Sequence, residues 1–225
     1  MQKSYLLMVF LCMALLAGCG MAQGRAEQTP EDALREMQRA VAQRDREQLS
    51  RYVDLEDFLG KTYDEAGHQT AVRIGELGKR YPKDPFFWHD TAFMENYARE
   101  HREISMEFMR QILSHYFSGK EPASSYDENP TSWLSGELGK LYRASQAEVT
   151  EIRQDGKKAV VVLRIQGDES PYGRMTDGIE LQLGMEQQPE GNWKFTQIAN
   201  IAGLIVPVTD KAEMFWTYQG WQEEP

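Results

Sequence analysis

The hydrophobic period of this chain changes once, near residue 143, and that change restricts the folds open to it. Upstream, apolar residues recur every three or four positions, the repeat of a helix with one buried stripe. Downstream they recur every second position, the repeat of a half-buried strand. Helices followed by consecutive strands make an α+β domain rather than a parallel sheet built from alternating βαβ units.

The first helix starts at Thr29, which is placed to cap. Pro30 suits the first helical position, and Glu31 and Asp32 favour the positive end of the dipole. Leu34, Met37 and Val41, with Ala33 and Ala40 beside them, form its apolar face, and the helix is expected to run to about Arg44. A short helical turn, an extended link at Tyr52 and Val53, and a second helix follow. Gly60, Gly67, Gly75 and Gly78 lower the helix propensity of that second segment. Asp84 and Pro85 repeat the cap-plus-proline signal ahead of a periodic stretch that ends at Ser118, with Gly119 placed to stop it and a break expected near Asp90 and Thr91.

Residues 119–132, GKEPASSYDENPTS, are turn formers and mark the internal boundary. A weak helical stretch from Trp133 to Tyr142 leads into the strands. Asp155-Gly156 signals a hairpin, because both positions tolerate the positive φ of a tight primed turn. Val161, Leu163 and Ile165 share one strand face; Ile179, Leu181, Leu183 and Met185 alternate likewise; Pro189 to Asn192 turn the chain into WKFTQIANI. The expected architecture is one α+β domain over residues 29–225: a helical part (29–143), an antiparallel sheet part of at least four strands (147–202), and an aromatic tail (203–225). Helices should cover one face of the sheet.

The first residues carry a different message. Lys3, an apolar run from Tyr5 to Leu16, and the small residues Ala17 and Gly18 have the layout of a secretory signal peptide, too short and wrongly flanked for a permanent membrane span. Leu16, Ala17, Gly18 and Cys19 resemble the lipobox of bacterial lipoproteins. The resemblance implies that the Cys19 thiol receives a diacylglyceryl group and that residues 1–18 are then removed. More than one acyl chain makes such an anchor durable. Residues 19–28 become the lipidated cysteine and a flexible tether. Gly20, where an aspartate would resemble an inner-membrane retention signal, favours the outer membrane in a host that has one. The protein is thereby expected to be a membrane-anchored envelope protein facing outside the cytoplasm.

Cysteine use agrees with that reading. The chain has two cysteines, and Cys12 falls in the segment to be removed, so neither a disulfide framework nor a cysteine metal site is expected. With 25 Lys+Arg against 35 Asp+Glu, the formal net charge is −10. Such a surface argues against nucleic acid as a partner and against adhesion to anionic lipid by charge. The lipid on Cys19, not the protein surface, would hold the chain at the membrane.

Helices first and a meander last is also the element order of the nuclear-transport-factor-2-like and cystatin-like folds, which the sequence resembles weakly. That likeness implies a cone in which a curved sheet wraps around a helix. The segment AVAQRDREQLSRYVD resembles the opening of small uncharacterised bacterial envelope families. Neither likeness supplies a catalytic motif.

The histidines, at 68, 89, 101 and 115, lack zinc-site spacing, and neither a phosphate-binding glycine loop nor a GxSxG elbow occurs. No catalytic, cofactor-binding or metal-binding residue is assigned. The leading function is a non-enzymatic ligand- or protein-binding envelope module; the alternatives are a small cavity enzyme of isomerase, dehydratase or hydrolase type, and a structural accessory of an envelope complex. On a continuous helix, Tyr97, His101, Ile104 and Phe108 share the face turned to the sheet, which makes Tyr97 and His101 the candidate pocket residues. Phe215, Trp216, Tyr218 and Trp221 form the candidate docking surface, against the simpler reading that the tail packs back across the domain.

Cys19→Ala is expected to leave an unprocessed precursor. Electrophoretic mobility and detergent partitioning read this directly, and a mature-sized product in the detergent phase would refute the lipobox.

Overall fold

Aspartate, asparagine, serine and threonine side chains cap most of the described helices. The computed structural model describes residues 28–220; the expected signal peptide, Cys19, nearly all of the tether, and Trp221 lie outside the described residues. Helix α1 (Pro30–Ala42) opens with a capping box, Thr29 accepting from the Asp32 amide while the Asp32 carboxylate accepts from the Thr29 amide. Asp45 caps α2 (Arg46–Ser50) and Asp54 caps α3 (Leu55–Val72). After α4 (Ile74–Arg80), Asp84 caps a 3-10 turn (Pro85–Trp88) and Asp90 caps α5 (Thr91–Glu100). Helix α6 (Arg102–Ser118) ends on Gly119 at φ +68°, and Asn129 caps α7 (Pro130–Arg143).

The boundaries differ from expectation in ways that have physical causes. Helix α1 stops at Ala42, short of Arg44, because Arg44 takes a left-handed φ of +56° and Asp45 begins the next cap. Helix α3 runs unbroken through Gly60 and Gly67. Gly67 lets α5 come close: a Cβ on it would lie 3.0 Å from the Ala98 Cβ, a tight contact. The periodic stretch up to Ser118 breaks near Asp90, as expected, and again at His101, which was not expected.

Strands β1 (Ser145–Asp155), β2 (Lys158–Gly167), β3 (Glu180–Gln187) and β4 (Trp193–Ile198) form one antiparallel meander in the order β1-β2-β3-β4. The fold is thus α+β with a four-stranded antiparallel sheet. Val161, Leu163, Ile165, Leu181, Leu183, Met185 and Phe195 are buried in the core with Leu34, Met37 and Val41 of α1. The first hairpin turns one residue later than Asp155-Gly156: Asp155 pairs with Lys158, and the loop is Gly156-Lys157. Only Gly156 needs positive φ (+56°), as a primed turn with glycine at its first central position requires. The extended link at Tyr52 and Val53 becomes a cover for the outer edge of β4, where the Phe195 amide donates to the Tyr52 carbonyl at 2.7 Å.

Two elements were not anticipated. Helix α8 (Pro171–Thr176) interrupts the meander between β2 and β3, and Gly167 and Gly173 approach so closely that a Cβ on Gly167 would overlap the Gly173 carbonyl. The segment expected as a tail is helix α9 (Ile201–Tyr218), which follows the sheet and carries Pro207 inside it. Its buried residues, among them Ile201, Leu204, Ile205, Val208, Ala212, Phe215 and Trp216, keep helical spacing, but Gly203 and Pro207 are poor helix formers and mask the pattern.

Gly156→Val places a β-branched side chain at a left-handed φ and is expected to cost about 1–2 kcal/mol. Urea unfolding measures the loss, and an unchanged midpoint would contradict the turn.

Candidate functional site

Helices α3, α5 and α9 lie side by side with the 3-10 turn against them, and small residues at their contacts leave a crevice of about 60 Å³. Helix α3 contributes Tyr63, Ala66, Gly67 and Thr70; the 3-10 turn contributes Phe86 and Phe87; α5 contributes Met94, Tyr97 and Ala98; α9 contributes Thr209, Ala212, Glu213 and Trp216. Phe86 packs edge-on against both Phe87 (5.3 Å) and Tyr97 (6.0 Å), which fixes that wall.

The polar groups of the wall are few. The Tyr63 hydroxyl donates to the Ala98 carbonyl at 2.9 Å, and the Thr209 hydroxyl donates to the Ile205 carbonyl at 2.7 Å. Thr70 differs: it is 6% exposed, and its hydroxyl has no hydrogen-bond partner. Glu213, half-buried, is the one carboxylate of the lining, which contains no lysine, arginine or histidine.

Two polar clamps hold α9 in position beside this crevice. Arg80 reaches Asp210 through Nε and Nη2, both at 2.6 Å, and the Tyr81 hydroxyl donates to the same carboxylate. The Tyr81 ring lies 5.4 Å from Phe87, so this clamp also supports the crevice wall. Burial, and then the Asp210 carboxylate, push the Tyr81 phenol well above the usual range. At the far end of α9, the buried Glu137 carboxylate accepts from Lys140 Nζ (2.6 Å), the Tyr172 hydroxyl (2.5 Å) and Gln219 Nε2 (3.0 Å). Burial alone would lower the Lys140 ammonium pKa; the bond and charge of Glu137 outweigh it and hold it raised. Burial first, then Glu137, raises the Tyr172 phenol. Because three donors converge on Glu137 from α7, α8 and the end of α9, the group works as a tie between elements.

A wider surface depression of about 340 Å³ lies between α2, α3 and α6. Its charges answer one another, Arg110 bonding Glu56 at 2.5 Å and Glu107 at 3.1 Å, with much of each side chain in water. Such pairs contribute little to stability and leave no unmet demand for a ligand. The smaller crevice, with its unpartnered hydroxyl, is the better candidate.

The structure separates the residues that the sequence grouped. Tyr97 lines the crevice, whereas His101 does not. His101 sits at the junction of α5 and α6, its Nδ1 2.9 Å from the Tyr97 carbonyl and its ring stacked on Tyr97 at 4.0 Å. That break redirects the helix, so the supposed inward face is not continuous and Ile104 is 64% exposed. Tyr97 and His101 instead join Phe93 and His89 in a ladder of stacked rings four residues apart. The crevice lies in the helical layer, not inside a cone formed by the sheet. Of the proposed docking surface, Phe215 and Trp216 are buried, Trp216 as part of the crevice wall; Tyr218 is exposed and edge-on to Tyr172, and Trp221 lies outside the described residues.

Thr70, Phe86, Phe87, Ala212 and Glu213 were missed. The available signal was the run of small residues Ala66, Gly67 and Ala98 at positions where helices would meet, and it becomes readable only when the helices are paired. Among the described residues, no helix is long and apolar enough to cross a membrane, and no three metal-ligating side chains converge. No family model, curated protein or solved structure matches the chain.

The raised tyrosines have a pH consequence. Tyr52, Tyr81, Tyr116 and Tyr172 all titrate above their ordinary value, chiefly through burial. The unfolded chain therefore releases these protons first, so their contribution is present below about pH 10 and is lost as pH rises further. Tyr81→Phe is expected to cost about 1–2 kcal/mol near neutrality, through the lost bond to a charged acceptor, and to flatten the alkaline decline. Urea titrations at neutral and alkaline pH test both parts.

Proposed function

We propose that this chain is a lipid-anchored protein of the bacterial envelope, attached through Cys19, whose domain binds a small ligand in the crevice between α3, α5 and α9. Thr70 carries the binding part of this reading. A buried hydroxyl without a partner costs about 1–3 kcal/mol, native structures keep few of them, and the Thr70 residue that carries this one lines the crevice. A ligand atom able to hydrogen-bond offsets that cost, while the surrounding rings and methyl groups supply apolar contact. An apolar wall with one or two placed polar groups is the usual form of a small-molecule site.

The tether suits this role. A tether of the expected length, residues 19–28, would hold the domain within about 17 Å of the anchor if it followed the span of a flexible chain. The docking alternative is less well supported, since Phe215 and Trp216 of the presumed surface are buried in α9. Any catalytic variant of this reading would draw its acid or base from Glu213 or from the lining phenols Tyr63 and Tyr97.

Small alcohols, ketones and amines screened by thermal shift and tryptophan fluorescence test the crevice, because Trp216 forms part of its wall. Ligands are expected to stabilise the wild type and to lose their effect on Ala98→Leu, which fills the space. Equal shifts in both proteins would refute the site. Thr70→Val is expected to leave the melting temperature of the empty protein unchanged or raised, because it removes the unpartnered hydroxyl.

A further inference from the structure

The sheet has two outer strands, and only one of them is covered. The outer edge of β4 is met by Tyr52 and Val53, whereas β1 ends the strand order with no strand beyond it. Among the described residues, no backbone hydrogen bond other than those to β2 reaches 145–155, and every residue from Thr150 to Asp155 is exposed. Such an edge is a row of amides and carbonyls ready to pair with another strand. Natural edges are commonly defended by lysine, by proline or by a charge on the inward face, and β1 has none of these. Its core-facing residues, opposite buried residues of β2, are Ala147, Val149, Ile152 and Gln154, and Ile152 is 36% exposed. The charges of β1 lie on the other face.

We infer that β1 is the interface between two copies of this chain, which pair edge to edge and antiparallel so that their sheets become one. Strand β1 carries an extra residue, Thr150, at a bulge between Val149 and Glu151. A two-fold axis at that bulge sets the extra residue of each strand against that of the other. The residue count then stays equal on both sides, and core-facing residues stay opposite core-facing residues. In this register Val149 faces Ile152 of the second copy and Glu148 faces its Arg153, and the symmetry repeats each pair. The first pair covers the exposed isoleucine; the second sets opposite charges across the ladder. Sliding one copy by two residues in either direction puts Glu148 against Glu151 or Asp155, like charges that disfavour the shifted register. Both partners have capacity left. Glu148 accepts from Gln166 (2.6 Å) through one oxygen, and Arg153 reaches Glu151 at 3.6 Å and Gln182 at 3.2 Å with about half of its side chain in water. The inference is independent of the crevice, which lies in the helical layer.

Sedimentation equilibrium of the full chain in density-matched detergent tests this. The wild type is expected to show a monomer–dimer equilibrium. Glu148→Arg and Arg153→Glu, each alone, set like charges opposite one another at both pairs and are expected to weaken the dimer about tenfold. Mixed in equal amounts, the two variants regain opposite charges in both pairs, and a mixed dimer within about threefold of the wild-type affinity is expected. That recovery also shows both variants to be folded. A wild type that stays monomeric throughout the concentration range would overturn the inference. A dimer indifferent to both substitutions would overturn β1 as its contact. Variants of unchanged melting temperature that weaken the dimer but do not recover on mixing would overturn the pairing of Glu148 with Arg153.

Discussion

The burial of one face of α9 is the packing event on which the rest of this structure depends. Leu204, Ile205, Val208, Ala212, Phe215 and Trp216 are almost wholly removed from water, and each large apolar side chain so buried contributes about 1.5–3 kcal/mol. Helix α9 meets α3 and α8, so the last helix of the described chain closes over elements formed from both its helical and its sheet parts. The mature chain expected from the lipobox has no cysteine pair to hold these parts together. Packing, with two polar clamps to fix its register, does so instead.

Those clamps grip a helix that contains proline. Asp210, three residues beyond Pro207, is gripped by Arg80 and Tyr81, while Gln219 just past the helix end reaches the buried Glu137. Pro207 removes one backbone donor near the start of the helix, but the apolar stripe runs past it on both sides. The same arrangement creates the crevice. Where α9 faces α3 and α5 it presents Thr209, Ala212 and Glu213, and opposite it stand Ala66, Gly67 and Ala98, so the backbones come close while side chains fail to fill the space between them. Thr70 lines that space, and its hydroxyl, like that of Thr62 on the same helix, has no hydrogen-bond partner, a local loss of stability.

Much of the fold was legible because local chemistry and global packing agree. The caps at Thr29 and Asp84, the break near Asp90, the stop at Gly119, the extended link at Tyr52 and Val53, and the alternation of the strands all depend on neighbours a few residues away. The site was legible only in part. Tyr97 lines a crevice among helices rather than a cone against the sheet, and its expected companion His101 marks a helix junction, where a side-chain bond to the Tyr97 carbonyl and ring stacking replace the inward orientation that a continuous helix would impose. Phe215 and Trp216 read as a sticky tail because Gly203 and Pro207 hide the helix to which they belong.

By itself the sequence determined the α+β class, the caps at Thr29 and Asp84 and the antiparallel pairing of the strands, since each follows from residue type, spacing and the reach of a few peptide bonds. Only the tertiary structure decided which faces meet. It set Trp216 and Phe86, 130 residues apart in sequence, on the walls of one crevice, left Thr70 unanswered between them, and put the sole carboxylate of the lining beside a group of rings. Periodicity specifies that a helix has an apolar face; it carries no information about the partner of that face, because hydrophobic burial is non-directional and partner choice is settled by shape across the whole core.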